Sequence, residues 1–449
     1  MAQPLLALAV AAAIGPAINP PGAPPGGSLA NKVVPAVVAR TLNATAEVLA
    51  QRRNPGRGRL GKPVPVRVLD RIGLRAALSP PPRPPPGTDR ETESALFEQL
   101  GLGLGDRLAG PPADVSGHYD VSARAVLIGD WVDLEAARFT LARDAALAVL
   151  DRRFNLARWL AEGQRGSRVN SDAALARQAV AEGDAAVQAL ELVDPQGVLP
   201  APRALAEITE GLRDGAIKEA GPAAPRLPLA RRLFATLDGL RFVAHLRARL
   251  PWSEVDQIWR EPPRSSEQIL HPAAYRRGDQ PDDVGARLPT RLRGGWRIAF
   301  ADTLGELGTR VFLEGGVDGY RAERAATGWG GDRVLWLQSV ARARKRADTG
   351  AENEGFAAWI TTWDDESDAD DFAAEAAVAL AALARVPPPE GRPPAGGFRV
   401  ENDRGRVYAL QRRQRAVALV FGAPAGSGAL LAELTAAASR GRGARSRSR

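Results

Sequence analysis

Apolar positions recur along the chain with two periods, and the switches between them outline its elements. Residues 34–51 carry Ala, Val and Leu at helical spacing and predict a first helix. Residues 63–69 (PVPVRVL) alternate and predict a strand; Pro65 sends it to a sheet edge, because proline has no N–H for a ladder. A proline-rich connector at 79–86 precedes a helix over 90–100. Residues 119–128 hold a strand whose apolar part is 125–128. Asp133 as N-cap and Glu135 in the first turn start a helix expected over 134–161. A second is expected from Asn170 or Ser171 to about Leu192. Its stripe of Leu175, Ala179, Glu182, Ala186 and Leu190 contains a carboxylate, which needs a partner if buried. Further helices are expected over 203–219 and 230–250, with a short one from Pro251 through Arg260. Residues 267–275 are a turn or short helix broken by Pro272. Residues 296–315 read as an amphipathic helix with Leu304, Leu307, Val311 and Leu313. Strands follow over 333–338 and 357–363, the first introduced by Gly328-Trp329-Gly330-Gly331. A helix over 368–383, two or three short strands within 398–421 around the turn Asp403-Arg404-Gly405, and a helix over 430–438 complete the pattern.

At 449 residues, 45% hydrophobic and 25% charged, the composition is globular. The absence of cysteine excludes disulfides, thiolate metal sites and thiol catalysis. His118, His245 and His271 lie too far apart for a local His-x-x-x-His metal pair. The net charge is +8, yet the last ten residues alone hold five arginines and no acid. Basicity is thus largely a property of the tail, aromatics are only 5%, and no specific nucleic-acid binding is expected. Residues 5–14 form an apolar run too short to span a bilayer, followed by Pro and Gly at 20–27. This resembles the core and cleavage zone of a secretory signal, without the charged start. Residues 1–27 are therefore read as a leader for export to the periplasm or the outside; without cleavage the location is cytoplasmic. No transmembrane segment is expected, and residues 439–449 read as a disordered Arg-rich tail.

Between these ends the chain resembles a bacterial family of predicted secreted zinc metallopeptidases. Its members carry H-E-L-T-H-A-L-Q-D-Q-H-F-D-L on one helix and E-G-E-A on the next. Here the first segment runs from Arg143-Asp144-Ala145-Ala146-Leu147 to Phe154-Asn155-Leu156, and the second is Glu182-Gly183-Asp184-Ala185. Ser266-Glu267-Gln268-Ile269-Leu270-His271-Pro272 with Tyr275, Gly328-Trp329-Gly330-Gly331-Asp332-Arg333, Pro65-Val66-Arg67-Val68-Leu69 and Ala418 to Pro424 also match, so the likeness spans roughly residues 33–425. It implies a predominantly α-helical α+β fold of gluzincin type. The main domain would occupy 28–345, and a C-terminal mixed α/β part of the same domain 346–438.

In the family pattern two histidines one helical turn apart bind zinc, and the Glu between them activates the metal-bound water. Arg143 and Leu147 stand at those positions and Asp144 replaces the Glu; of the implied ligands only Glu182 survives. A guanidinium repels a metal and leucine has no lone pair, so zinc is expected to be lost and no cofactor is implied. Arg143 is expected either to occupy the former metal position and pair with Glu182, or to reach out to solvent while Glu182 finds another donor. The resemblance thus implies an inactive homologue whose cleft binds a peptide or protein partner. An active hydrolase with a non-zinc or unrecognised metal constellation, and a purely structural protein, are the alternatives. Glu267 and His271 are candidate cleft residues, with Tyr119, Asp120, Gln268 and Trp329 beside them; His271 before proline also suits a structural hydrogen bond. Asp332 and Arg333 are ligand-contact candidates, or a local cap. His245 reads as packing and His118 as loop surface. The run Asp364, Asp365, Glu366, Asp368, Asp370 and Asp371 lacks the glycine of a calcium loop and reads as a helix start.

Overall fold

In a computed structural model of the protein, residues 35–56, 58–78, 89–103, 116–162, 170–194, 199–221, 224–287, 292, 295–340, 355–391 and 397–439 are described. The expected leader, the connector at 79–86 and the tail beyond 439 lie outside them. The described residues are α+β and mostly helical, with two sheets. No helix among the described residues is long and apolar enough to cross a membrane.

The first half opens with α1 (Pro35–Arg53), then β1 (Val66–Leu69), α2 (Arg71–Leu78) and α3 (Asp89–Gln99). β2 (Gly117–Asp120) and β3 (Ala125–Gly129) join β1 in a three-stranded sheet of order β1-β3-β2. β1 lies at an edge, as Pro65 requires, and the Pro65 carbonyl accepts the Val126 N–H at 2.9 Å. His118 sits within β2 opposite Leu127, not in a loop.

The helix expected over 134–161 starts later and is divided. Asp133 holds a preliminary turn, accepting the Glu135 and Ala136 N–H groups, and α4 begins after it (Arg138–Phe154). Asn155 takes a left-handed φ of 54° and stops α4. The Asp151 carboxylate then accepts the Leu156 N–H at 2.7 Å, where α5 starts (Leu156–Glu162). α6 (Ser171–Val193) begins as expected: the Asn170 side chain accepts the Ala173 N–H at 2.9 Å.

α7 (Pro202–Ala220) is followed by α8 (Arg226–Leu233), a π-helical turn at Phe234–Asp238, and α9 (Gly239–Arg247). A Cβ on Gly183 would collide with the Gly239 carbonyl, and one on Gly239 with the Ala179 carbonyl. The two glycines therefore let α6 and the start of α9 touch backbone to backbone. Four short helices follow: α10 (Trp252–Val255), α11 (Gln257–Arg260), α12 (Ser266–Leu270) and α13 (Pro272–Arg277).

The second half holds β4 (Trp296–Asp302), α14 (Gly305–Leu313), α15 (Gly319–Ala326), β5 (Trp329–Ser339), β6 (Gly355–Trp363), α16 (Glu366–Ala384), β7 (Phe398–Glu401), β8 (Val407–Arg413), β9 (Ala416–Ala423) and α17 (Gly428–Ser439). The single helix expected over 296–315 is thus a strand and then a helix. Trp296, Ile298 and Phe300 alternate along β4, which pairs antiparallel with β5. The six strands form an antiparallel sheet of order β4-β5-β6-β9-β8-β7. The division expected after residue 345 falls in the connection between β5 and β6, which pair.

This sheet is buried on both faces. Val334, Trp336, Val417, Leu419 and Phe421 meet α3, α14, α15 and α16 on one side. Leu335, Leu337, Ala418 and Val420 meet α17 on the other. Phe312, Trp359 and Phe372 pack edge to face at 5.1 and 5.7 Å. Each such pair contributes about 0.5–1.5 kcal/mol beyond the area it buries.

Candidate functional site

The motif helices α4 and α6 pack side by side, and the motif positions are filled rather than open. Asp144 is fully buried, Leu147 is buried and Glu182 is half-buried. Arg143, its side chain 11% exposed, hydrogen-bonds Asp144 Oδ1 at 2.9 Å. Burial opposes the guanidinium charge, but Asp144 first and Glu182 second outweigh it and raise its pKa. Glu182 therefore attracts Arg143 through space, while the ion pair forms with Asp144. The donor set does not fit the zinc that the resemblance implies: the Arg143 guanidinium is held on Asp144, and Leu147 offers no donor. Among the described residues no group of three or more His, Asp or Glu is placed to hold a metal ion.

The fully buried acid of the second motif is Asp184, not Glu182. Its partner is Arg53 at the end of α1, which donates to Asp184 Oδ1 at 2.6 Å and Oδ2 at 2.8 Å and to Asp256 Oδ1 at 2.6 Å. Gln188 and the Trp259 indole also donate to Asp184, Arg153 pairs with Asp256, and Arg53 lies 4.1 Å from the Trp252 ring centre. This network ties α1, α6 and α10–α11 together.

A second group of buried carboxylates joins the two halves by capping helix starts. Asp302 of β4 accepts the Ser171 N–H of α6 at 2.8 Å, and Asp172 of α6 accepts the Ser266 N–H of α12 at 3.0 Å. The Ser266 hydroxyl accepts the Leu307 N–H of α14 at 3.1 Å. Asp332 of β5 accepts the Leu304 and Gly305 N–H groups at 3.0 and 2.9 Å, and the indoles of Trp329 and Trp359 at 3.2 and 3.0 Å. Burial pushes Asp172 up to about 8 and Asp332 to about 6, against the hydrogen bonds they accept. Arg333 donates to the Ala301 carbonyl at 3.1 Å. The Trp-Gly-Gly-Asp-Arg segment is thus a capping device for α14.

Beside this junction lies a cavity of about 430 Å³ between α7, α8–α9 and α14, lined among others by Phe242, His271, Glu306 and Arg310. That is the size of a small-ligand pocket. The π turn carries Asp238 into its wall, where Arg213 donates to it at 2.8 Å. His271, between α12 and α13, places Nε2 2.9 Å from Glu306 Oε1 in the first turn of α14. That bond is the main reason the imidazole pKa is raised. Glu306 itself is raised by burial, which His271 offsets only in part. Glu267, one turn before His271, is pushed up to about 8 by burial and then by Glu306. His245 also lines the cavity, its pKa lowered by burial and by Arg249 and Arg276.

Of the expected cleft residues, His271 lines this cavity and Glu267 lies next to it. Tyr119 is buried on Asp151 at 2.8 Å, Asp120 holds the turn at Ser122, Gln268 accepts the Arg264 N–H, and Trp329 is bound to Asp332. Glu306, Arg213 and Asp238 carry no local signal in the sequence, since a π turn and a pairing across 35 residues leave no signature there. The acidic run is a helix start, with Asp365 accepting the Asp368 N–H at 3.0 Å.

The family model of a domain of unknown function (DUF8575) matches residues 295–431, from the start of β4 into α17. That similarity takes in Glu306, Asp332 and Arg333, and leaves α4, α6 and His271 outside it. No curated protein and no solved structure matches the chain.

Proposed function

We propose that the chain is a non-catalytic, gluzincin-like relative of secreted zinc metallopeptidases, exported through residues 1–27, that binds a peptide or polypeptide in the cavity beside His271 and Glu306. The carrying observation is the Arg143–Asp144 ion pair on α4. It puts a permanent cation at the turn where the resemblance implies the first metal ligand, and it neutralises the carboxylate in the place of the general base. The cavity supports the binding half of the reading, since walls that mix apolar side chains with acids, arginines and two histidines can take both the apolar and the polar parts of a peptide.

A second reading rests on one observation. The His271–Glu306 pair at 2.9 Å, with Glu267 titrating at about 8, is a set able to take and give protons near neutrality. Under that reading the chain is a hydrolase without zinc. The test incubates the purified full-length chain with a pool of synthetic peptides and analyses bound and free fractions by mass spectrometry. Peptides retained intact support the proposal. Cleavage that persists with a chelator and stops in His271→Ala favours the hydrolase. A pool neither retained nor cleaved rejects both.

A further inference from the structure

The six-stranded sheet ends in β4 on one side and β7 on the other. An open edge offers unpaired N–H and C=O groups to another strand, and a bulge is one protection against that. β4 has one, where its register with β5 shifts between Ile298 and Phe300. β7 keeps an unbroken register with β8, and among the described residues no strand pairs with its outer edge. The turn after β7 fixes which groups that edge offers. The Asn402 N–H donates to the Arg406 carbonyl at 3.0 Å, so two and four residues earlier Val400 and Phe398 also direct their backbone groups at β8. Arg399 and Glu401 then direct theirs outward. Their side chains are 50% and 49% exposed, on the face where Val407 and Ala409, opposite them, pack under α17. The two lie 3.7 Å apart, a loose contact worth little in water.

We propose that β7 pairs antiparallel with β7 of a second copy of the chain, about a twofold axis at Val400, and joins the two six-stranded sheets into one. In that register the outward groups of Arg399 meet those of the partner's Glu401, and the reverse, so main-chain hydrogen bonds form at both pairs. The same two pairs set opposite charges directly across from each other. Val400 meets the partner's Val400 on the other face, where Phe398 and Val400 pack on the core. Sliding one strand by two residues sets Arg399 against the partner's Arg399, or Glu401 against the partner's Glu401, and like charges repel there. Backbone direction and side-chain charge thus select one register. The pairing is isologous, so it closes at two copies and leaves neither β7 edge open. Each strand contributes only four residues, so the interface is small and the dimer weak.

The experiment is analytical ultracentrifugation of the full-length chain at pH 7, at concentrations up to about 0.5 mM, where a weak interface registers as a monomer–dimer equilibrium. Arg399→Glu and Glu401→Arg each turn both cross-strand pairs into like charges, and each should weaken the dimer by at least about tenfold. Mixed with each other, the two variants should associate to within about threefold of wild type, because every pair is then opposite. The chain has no cysteine, so a single introduced one reports on the register. Val400→Cys puts two sulfurs at a non-hydrogen-bonded pair with Cα atoms about 4.5 Å apart, and should link the dimer by a disulfide in a glutathione buffer. Phe398→Cys, roughly 14 Å from its symmetry mate, should not. A chain that stays monomeric throughout overturns the inference. So does a dimer that neither charge reversal weakens, or one that Phe398→Cys links as readily as Val400→Cys, since such a dimer uses another face.

Discussion

Arg53→Met removes one charge from a buried network and keeps most of the side chain's apolar stem. Arg53 and Asp184 are both buried, and the guanidinium is bidentate on Asp184 while also serving Asp256. After the substitution Asp256 keeps Arg153, but Asp184 keeps only the neutral donors Gln188 and Trp259. A buried carboxylate stripped of its cation costs about 3–5 kcal/mol, far more than the net worth of the intact pair. Urea unfolding at pH 7, followed by tryptophan fluorescence and circular dichroism, measures the loss. The double variant Arg53→Met/Asp184→Leu should lose less than the two single losses combined, because it leaves no lone charge at Asp184. A single-variant loss below about 1 kcal/mol, or strict additivity in the double variant, would refute the claim that Arg53 neutralises Asp184.

Gly183→Ala should destabilise by about 1–3 kcal/mol in the same assay, because the added Cβ meets the Gly239 carbonyl and drives α6 from α9; an unchanged midpoint would mean the helices do not touch there. Burial pushes Asp172 up to about 8 when folded from the ordinary aspartate value of 3.8, so between those limits the folded state binds more protons than the unfolded one. Stability should therefore fall as pH rises from about 4 to about 8, and Asp172→Asn should flatten that slope, with Asp332 and Glu267 contributing the remainder in the same direction. An equal slope in wild type and variant argues against a protonated Asp172. By NMR, His271 should titrate above 6.5 and move down in Glu306→Gln; a wild-type midpoint at or below 6.5 contradicts the 2.9 Å bond.

Local chemistry was legible wherever one residue type dictates one conformation. Asn170 caps α6, Pro65 marks an edge, and the acidic run at 364–371 opens α16. Period failed where two elements abut. The apolar positions of β4 at 296, 298 and 300 run almost directly into the N-cap Leu304 and the α14 positions 307 and 311, and the joined pattern imitates one helix. Stripe reasoning failed on α6 for a different reason. An Ala-rich helix that is buried over most of its surface has little solvent face, so Glu182 and Asp184 cannot be ranked by phase alone. The partners of the buried acids come from far along the chain: Arg53 reaches Asp184 across 131 residues and His271 reaches Glu306 across 35. Such pairs are products of tertiary packing, and spacing does not encode them.

Under the proposed function, Arg143 and Leu147 stand where a related peptidase would have zinc ligands, and the site holds no zinc. The most direct test is zinc stoichiometry by elemental mass spectrometry, on full-length protein purified without a His tag, incubated with Zn²⁺ and desalted. Less than about a tenth of an equivalent is expected, since catalytic zinc needs three protein ligands. A full equivalent that is lost on Glu182→Ala would contradict it, by showing that a ligand set around Glu182 still holds the metal.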